Sequence, residues 1–238
     1  SMERGIRFQQ HSGMKHAIET LRDPNGIVPV SHIKMMLEFL QKEELIFSDG
    51  GSKQAFELQH DSSIVLGALL DGVDPGGKFR IPLTQTIQVP SVELSKDTLK
   101  AEAHLLLLNI PEGVKSIGDA LKRFSAEEVL TGENRYNVDD ETLRGKKGIV
   151  ENILPNGKTI LIADAIKKNT LNIDTLPEVL PISLNRFQRN TNGDASKITR
   201  EISAPEVLTI PTECLSGASA GKTVKYKLVR FIHHGGSL

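Results

Sequence analysis

The sequence has one cysteine, almost no net charge and no long apolar run. The single cysteine, Cys214, among 238 residues excludes an internal disulfide and a metal site made of several cysteines. A net charge of −1 gives no reason to expect nucleic acid, because nucleic-acid-binding domains usually carry a basic patch or stripe. No apolar run approaches the roughly 20 residues that span a bilayer, and the N-terminus lacks the basic and then apolar layout of a signal peptide. We therefore expect an intracellular protein, in the cytoplasm or nucleus, with no membrane partner and no nucleic-acid partner.

The first half of the chain is expected to be mainly helical. Helical spacing of apolar residues predicts helices at 14–22, 31–46, 61–73 and 116–130. Ser31 is a suitable N-cap for the second of these helices. Ser116 and Asp119 are spaced like the two members of a capping box, which marks the start of the fourth helix.

Strands dominate the second half of the sequence. Extended chain is expected from Phe79, and a strand at 105–110 is closed by Pro111. After Gly132 the predicted strands are 149–154, 158–163, 170–174, 178–186, 206–210 and 224–233. Asn156-Gly157 lies between two of them and is a strong hairpin signal. Helices followed by strands predict the α+β class.

Two neighbouring stretches form a distinctive pattern: residues 164–168 read DAIKK and residues 176–187 read LPEVLPISLNRF. They resemble the palm strand of ubiquitin-specific proteases, which are thiol peptidases that cut ubiquitin from proteins. The family pattern is approximately A-x-K-K followed by LP-x-VL-x-(I/L)-x-L-(K/M)-R-F.

Four further blocks of the family occur in the same order along the chain. Residues 59–71 resemble the pattern Q-(Q/H)-D-A-x-E-(F/L)…LL(D) of a thumb helix that faces bound ubiquitin. Residues 77–88 resemble the strand pair F-x-G-x-(L/M)…I-x-C, and residues 226–235 resemble Y-x-L-x-(A/G)-V-(V/I)-x-H-x-G. Residues 116–136 resemble S-(L/I)-x-D-(A/C)-L…F…E-x-L-x-G-(D/E)-N-x-Y. The resemblance therefore covers residues 59 to 238.

The resemblance implies an α+β, papain-like fold with a helical thumb, a β palm and β fingers. We then expect a single domain over 1–238, with thumb helices over about 1–75 and fingers and palm over about 76–238. The family's cysteine box, G-N-T-C-(Y/F)-M-N-S, is not found before Met14, and its G-H-Y block with the general-base histidine is not found before Leu238. The fold is accordingly expected to be incomplete at both ends, with no catalytic residue in this chain and no hydrolysis by the chain alone.

The resemblance also implies a surface that binds ubiquitin, formed by Gln59, Asp61 and His233. In the family the carboxylate at the position of Asp61 meets basic residues of the ubiquitin tail, and an Arg–carboxylate pair is a strong contact. An ordinary acid on a helix surface is the alternative. His233 corresponds to the histidine of the H-x-G loop, and a loop histidine without chemistry is its alternative. Ile64 stands where the family has Glu, which predicts weaker binding.

No cofactor and no metal is expected. Many family members hold zinc with two C-x-x-C pairs, but the sequence after Tyr136 reads NVDD. Cys214 corresponds to a segment far from the cysteine box, so a small semi-buried side chain is expected. The function expected first is part of a deubiquitinase that acts on ubiquitin or a ubiquitin-like protein in ubiquitinated substrates. A non-catalytic ubiquitin-binding or scaffold relative, or a module for another partner, remains an alternative.

Overall fold

The computed structural model describes residues 30–42, 62–73, 79–189 and 195–232. The chain divides into two compact units. Unit 1 consists of Ser1–Arg80, His104–Leu106 and Pro177–Ser183, and unit 2 consists of Ile81–Ala103, Leu107–Leu176 and Leu184–Leu238. The assignment of residues 1–238 to a single domain stays a prediction. Within the described residues, no helix is long and apolar enough to cross a membrane.

Two helices form the described core of unit 1. Helix α1 spans Val30–Lys42 and helix α2 spans Ser62–Val73. Leu40 of α1 and Ala68 of α2 are buried against each other, with further apolar side chains of both helices packed around them. The helices predicted at 31–46 and 61–73 are confirmed over the residues that the structure describes, and the helix predicted at 14–22 lies outside them. Ser31 lies within α1 and is not its N-cap.

Unit 2 contains one further helix, α3 (Ile117–Phe124), and most of the strands. In chain order the strands are β1 (Ile81–Val89), β2 (Leu94–Ala103), β3 (Leu106–Asn109), β4 (Glu128–Leu130), β5 (Tyr136–Val138), β6 (Ile149–Ile153), β7 (Thr159–Ala163), β8 (Ala165–Asn172), β9 (Ile182–Asn185), β10 (Phe187–Arg189), β11 (Ala195–Lys197), β12 (Val207–Ile210), β13 (Leu215–Ser216) and β14 (Val224–Lys227).

The largest described sheet of unit 2 has the order β13-β8-β1-β2, and β4 also pairs with β8. Strand β8 is antiparallel to β1 and β4 and parallel to β13. A second sheet has the order β5-β7-β6, and smaller pairs join β10 to β11 and β12 to β14. The mixture of helices and mainly antiparallel strands agrees with the predicted α+β class.

One apolar cluster joins the two larger sheets. Alternate residues of β1, Ile87 and Val89, pack with Leu161 and Ala163 of β7, and all four are at most 6% exposed. This follows from the two-residue period of a strand, which places alternate side chains on one face.

Several local predictions are confirmed by hydrogen bonds. The Asn156-Gly157 turn connects β6 to β7, and Gly157 has a φ of 78° with its N–H donating to the Leu154 carbonyl at 2.9 Å. The hydroxyl of Ser116 accepts from the Asp119 N–H at 3.0 Å, so Ser116 caps α3 as expected. The strand expected at 105–110 is β3.

Other boundaries were wrong. The helix predicted to run to 130 ends at Phe124, because residues 128–130 pair with β8 as β4 and Glu128 forms an ion pair of 2.5 Å with Lys167. The strand predicted from 170 begins earlier and ends at Asn172. Only 182–185 of the strand predicted at 178–186 is extended in β9, and the strand predicted at 224–233 ends at Lys227 within the described residues.

Candidate functional site

The three residues predicted to contact ubiquitin, Gln59, Asp61 and His233, all lie outside the described residues. Their placement therefore stays a prediction. The neighbouring helix α2 begins one residue after Asp61, and its residue Ile64 is 54% exposed. This position therefore presents an apolar side chain to solvent.

The only thiol of the chain lies in the core of unit 2. Cys214 is completely buried at the end of a short turn, where its N–H donates to the Pro211 carbonyl at 2.9 Å. The Cys214 thiol donates to the Leu121 carbonyl of α3, with 3.3 Å between Sγ and the oxygen. Its side chain is thus more deeply buried than the semi-buried one that the sequence suggested.

The electrostatic surroundings of Cys214 do not favour a thiolate. Burial raises the pKa of the Cys214 thiol, and the nearby Ser125 side chain lowers it by a smaller amount. A nucleophilic cysteine requires a lowered pKa and access to substrate. Within the part of the chain that the structure describes, the charged groups that act on this thiol are Glu213 and two lysines. Among the described residues, Cys214 therefore packs in the core and meets neither requirement.

A pair of arginines fixes the backbone next to the strand that carries the family-like L-N-R-F sequence. Arg186, between β9 and β10, donates from Nη1 to the carbonyls of Ile198 and Arg200 at 3.1 and 2.9 Å. A planar guanidinium with five N–H groups suits such multiple donation. Arg186 thus ties the end of β9 to the segment that follows β11.

Arg200 continues this connection to the loop before α3. Its Nη2 donates to the carbonyls of Ile110 and Pro111, the second at 2.6 Å, and its Nε donates to that of Val114 at 3.4 Å. The same loop is joined to residue 203 by the Ser203 N–H, which donates to the Lys115 carbonyl at 2.8 Å. The two arginines therefore form a clamp, here called the arginine clamp, that fixes three chain segments distant in sequence.

A single carboxylate holds a second loop. Asp174 follows β8, and its Oδ2 accepts from the Ala218 N–H at 2.7 Å. The Ser219 hydroxyl is the largest cause that lowers the pKa of Asp174, and backbone N–H groups and Lys222 act in the same direction. Asp174 is thus set up to remain ionised while it holds the loop.

The NVDD sequence, at which the resemblance places the family's cysteine pair, spans the last two residues of β5 and the turn that follows. Lys96 lies 3.5 Å from Asp139, and Asp140 accepts from the Thr142 N–H at 2.9 Å. Arg144 joins Glu141 and Glu151 at 2.6 and 2.7 Å. Within the described ranges, no group of three His, Cys, Asp or Glu side chains is arranged to hold a metal ion. The absence of zinc stays a prediction for the protein.

An open groove lies beside the same turn. Its lining includes the apolar residues Leu94 and Val138 and the charged residues Lys96, Asp139 and Asp140. Open apolar and charged surface of this kind suits contact with a protein and offers no enclosed volume for a reaction. The described residues therefore supply surfaces and supports, with no nucleophile and base side by side.

The sequence alone did not reveal the roles of Arg200 and Asp174. Both side chains act on backbone groups more than 40 residues away in sequence, 90 in the case of Arg200 and Ile110. Only the glycines that flank Ala218–Ala220 signalled that the second loop has an unusual backbone.

A family model described as ubiquitin carboxyl-terminal hydrolase matches residues 12–238. Ubiquitin carboxyl-terminal hydrolase 16 of Arabidopsis thaliana is 32% identical over 139 residues, which are 58% of this chain and 11% of that protein. Ubiquitin carboxyl-terminal hydrolase 24 of the same plant is 29% identical over 197 residues, 73% of this chain and 31% of that protein. Ubiquitin carboxyl-terminal hydrolase 16/45 of Drosophila melanogaster is 28% identical over 134 residues, 53% of this chain and 11% of that protein. The chain spans less than a third of these relatives.

Two solved structures share the fold. One is the SAGA Ubp8/Sgf11/Sus1/Sgf73 DUB module bound to ubiquitin aldehyde, with 24% identity, a TM-score of 0.50 and coverage of 67% of this chain and 31% of the other. A variant of that module gives 20% identity, a TM-score of 0.59 and coverage of 99% of this chain and 53% of the other. These likenesses establish the fold that the sequence predicted.

Proposed function

Because this chain belongs to the ubiquitin carboxyl-terminal hydrolase family, we propose that it forms the ubiquitin-recognising part of a cysteine-dependent deubiquitinase and hydrolyses no ubiquitin bond on its own. The whole protein would release ubiquitin, or a ubiquitin-like protein, from substrates by cleaving the isopeptide bond at the ubiquitin C-terminus. We place it in the cytoplasm or nucleus, with neither nucleic acid nor membrane as a partner.

The observation that carries the proposal is the burial of the only thiol. A cysteine peptidase needs an accessible thiolate with a neighbouring base. The Cys214 thiol instead donates a hydrogen bond to the Leu121 carbonyl in the core, and burial raises its pKa. The match to the family model over 12–238 supports recognition of ubiquitin, and the state of Cys214 supports the absence of chemistry in this chain.

The hydrolysis half of the proposal is tested with ubiquitin that carries a C-terminal fluorogenic group. The chain should release no more fluorophore than buffer does, and Cys214→Ala should release the same amount. Activity in the parent that is lost in Cys214→Ala would overturn the proposal and would assign the reaction to Cys214. A circular dichroism spectrum of each variant controls for folding.

The recognition half depends on the predicted surface of Gln59, Asp61 and His233. One charge-assisted hydrogen bond contributes about 1.5–3 kcal/mol, which matters for a weak complex but does not create a tight one. Titration of labelled ubiquitin by NMR should therefore show weak binding that Asp61→Asn reduces at least several-fold. Binding by the parent should also fall more steeply with added salt than binding by the variant, because salt screens exposed charges.

A control variant and the pattern of affinities distinguish ubiquitin recognition through Asp61 from the alternative functions. Asp97→Asn, an acid on β2, serves as the control and should leave the affinity unchanged. Equal affinity of the parent and Asp61→Asn would remove Asp61 from the surface. Absence of binding by both, with both folded, would favour a scaffold or a module for a different partner.

A further inference from the structure

The loop between β13 and β14 has the sequence Gly-Ala-Ser-Ala-Gly over 217–221. Gly217 and Gly221 have φ values of 102° and 103°, in the region that favours glycine. Between them lie Ala218, which is exposed, and Ser219, which is partly exposed. The loop thus has a backbone hinge at each end.

The N-terminal end of this loop is held in place by the pairing of β13 with β8. Ser216 of β13 pairs with Asn172 of β8, and the Thr170 hydroxyl lies 2.9 Å from the Ser216 hydroxyl. The other end leads into β14 through Lys222, whose N–H donates to the Ser219 carbonyl at 3.1 Å. Movement of residues 217–221 therefore does not require β8 and β13 to separate.

Asp174 is the side chain that joins the middle of the loop to the end of β8. Its Oδ2 accepts from the Ala218 N–H at 2.7 Å. Asp174 is itself oriented by Asn172, whose Oδ1 accepts from the Asp174 N–H at 3.0 Å. Asn172, the last residue of β8, thereby orients Asp174 towards the loop.

The approach of the loop to Asp174 is as close as glycine allows. A Cβ added at Gly217 would lie 2.5 Å from Asp174 Oδ2 and 2.6 Å from Asn172 Oδ1. A Cβ added at Gly221 would meet nothing within 4 Å, although its φ is nearly the same as that of Gly217. The close steric contact at Gly217 and the hydrogen bond from the Ala218 N–H to Asp174 therefore occur at the same end of the loop.

From these contacts we propose that Asp174 is a latch and that residues 217–221 are a strap, which this carboxylate holds closed against the end of β8. Closure fixes where the chain enters β14. Loss of the latch frees the strap between its two glycine hinges while the β8–β13 pairing stays in place. The device is separate from the proposed recognition of ubiquitin and can be tested without ubiquitin.

Amide hydrogen exchange measured by NMR on the folded chain tests the latch. In Asp174→Ala, the amides of Ala218 and Ser219 should exchange at least about fivefold faster, as loss of one net hydrogen bond requires, while β8 amides stay within about twofold. Asp140→Ala is the matched control, because Asp140 accepts only from Thr142 in its own turn. It should leave the strap unchanged.

A second pair of variants tests the steric fit without removing the acid. Gly217→Ala should accelerate exchange at Ala218 more than Gly221→Ala does, since both substitutions strain the backbone but only the first meets Asp174 and Asn172. This excess should shrink when Gly217→Ala is combined with Asp174→Ala. Unchanged exchange at Ala218 in Asp174→Ala, or equal effects of the two glycine variants, would overturn the proposal.

Discussion

Two five-residue, mainly apolar stretches of unit 2 differ in structure and in burial: one is a buried strand, and the other is exposed and is not a strand. Strand β7, with the sequence TILIA over 159–163, lies between β5 and β6 and buries Leu161 and Ala163 to 1% exposure. The stretch LVRFI over 228–232 directly follows β14, is not a strand, and leaves Phe231 80% exposed. Val229 and Ile232 of the same stretch are 64% and 70% exposed.

The difference in burial between the two stretches arises from the strands and side chains that surround each of them, and not from their hydrophobicity. On each side of β7 a strand satisfies its backbone groups, and the face of β1 covers its alternate side chains. For 228–232 the described residues supply one backbone contact of this kind, the Leu228 N–H donating to the Glu206 carbonyl at 2.8 Å. An apolar pattern predicts a strand correctly only where the fold supplies a neighbouring strand and a covering layer.

The largest expected effect contrasts the two stretches directly. Leu161→Ala should lower the free energy of unfolding by about 2–5 kcal/mol, because it leaves a cavity in a filled core. Val229→Ala should change it by less than about 0.5 kcal/mol, as for most exposed sites. Urea unfolding followed by circular dichroism measures both. Similar losses for the two variants would show that 228–232 is covered in solution.

A smaller effect on stability is expected from the capping residues of α3. This helix packs against β12, which pairs with β14, the strand that residues 228–232 follow. The side-chain hydrogen bond with Ser116, and then the Lys115 N–H, hold the pKa of Asp119 below its usual value. A carboxyl whose pKa is lower in the folded state stabilises the fold above its unfolded pKa. This stabilisation is lost as the pH falls through the folded value.

Asp119→Asn should therefore flatten part of the fall in the urea midpoint between neutral and acidic pH. Ser116→Ala removes the first partner of Asp119 and should flatten the same part of the curve. Parallel pH curves for the parent and Asp119→Asn would mean that the cap of α3 is not coupled to stability.

The smallest expected change in stability belongs to Phe231→Ser. Because Phe231 is 80% exposed, its replacement should leave the urea midpoint almost unchanged. An exposed apolar stretch favours association, so the variant should self-associate less than the parent in sedimentation velocity at matched concentrations. A large drop in the urea midpoint would place Phe231 in a packed core instead.

The sequence predicted features that are encoded within a few residues. The Asn156-Gly157 turn needs only a glycine at positive φ, and the cap of α3 needs only Ser116 three residues before Asp119. The end of α3 at Phe124 could not be predicted in this way, because it depends on β4 pairing with a strand almost 40 residues later. The family-like sequence blocks were sufficient to predict the fold, whereas the positions of Gln59, Asp61 and His233 stay predictions.

The arginine clamp has a consequence for the order in which the chain can mature. The carbonyls of Ile110 and Val114 are joined by a side chain that lies 90 and 86 residues further along. During synthesis these carbonyls can only form hydrogen bonds to water until residue 200 has emerged from the ribosome. The loop before α3 therefore cannot reach its final conformation early, from local contacts alone. Contacts of such long sequence separation slow folding. A ribosome-bound chain halted before Arg200 should thus leave this loop open to proteases, and one halted well after it should protect the loop.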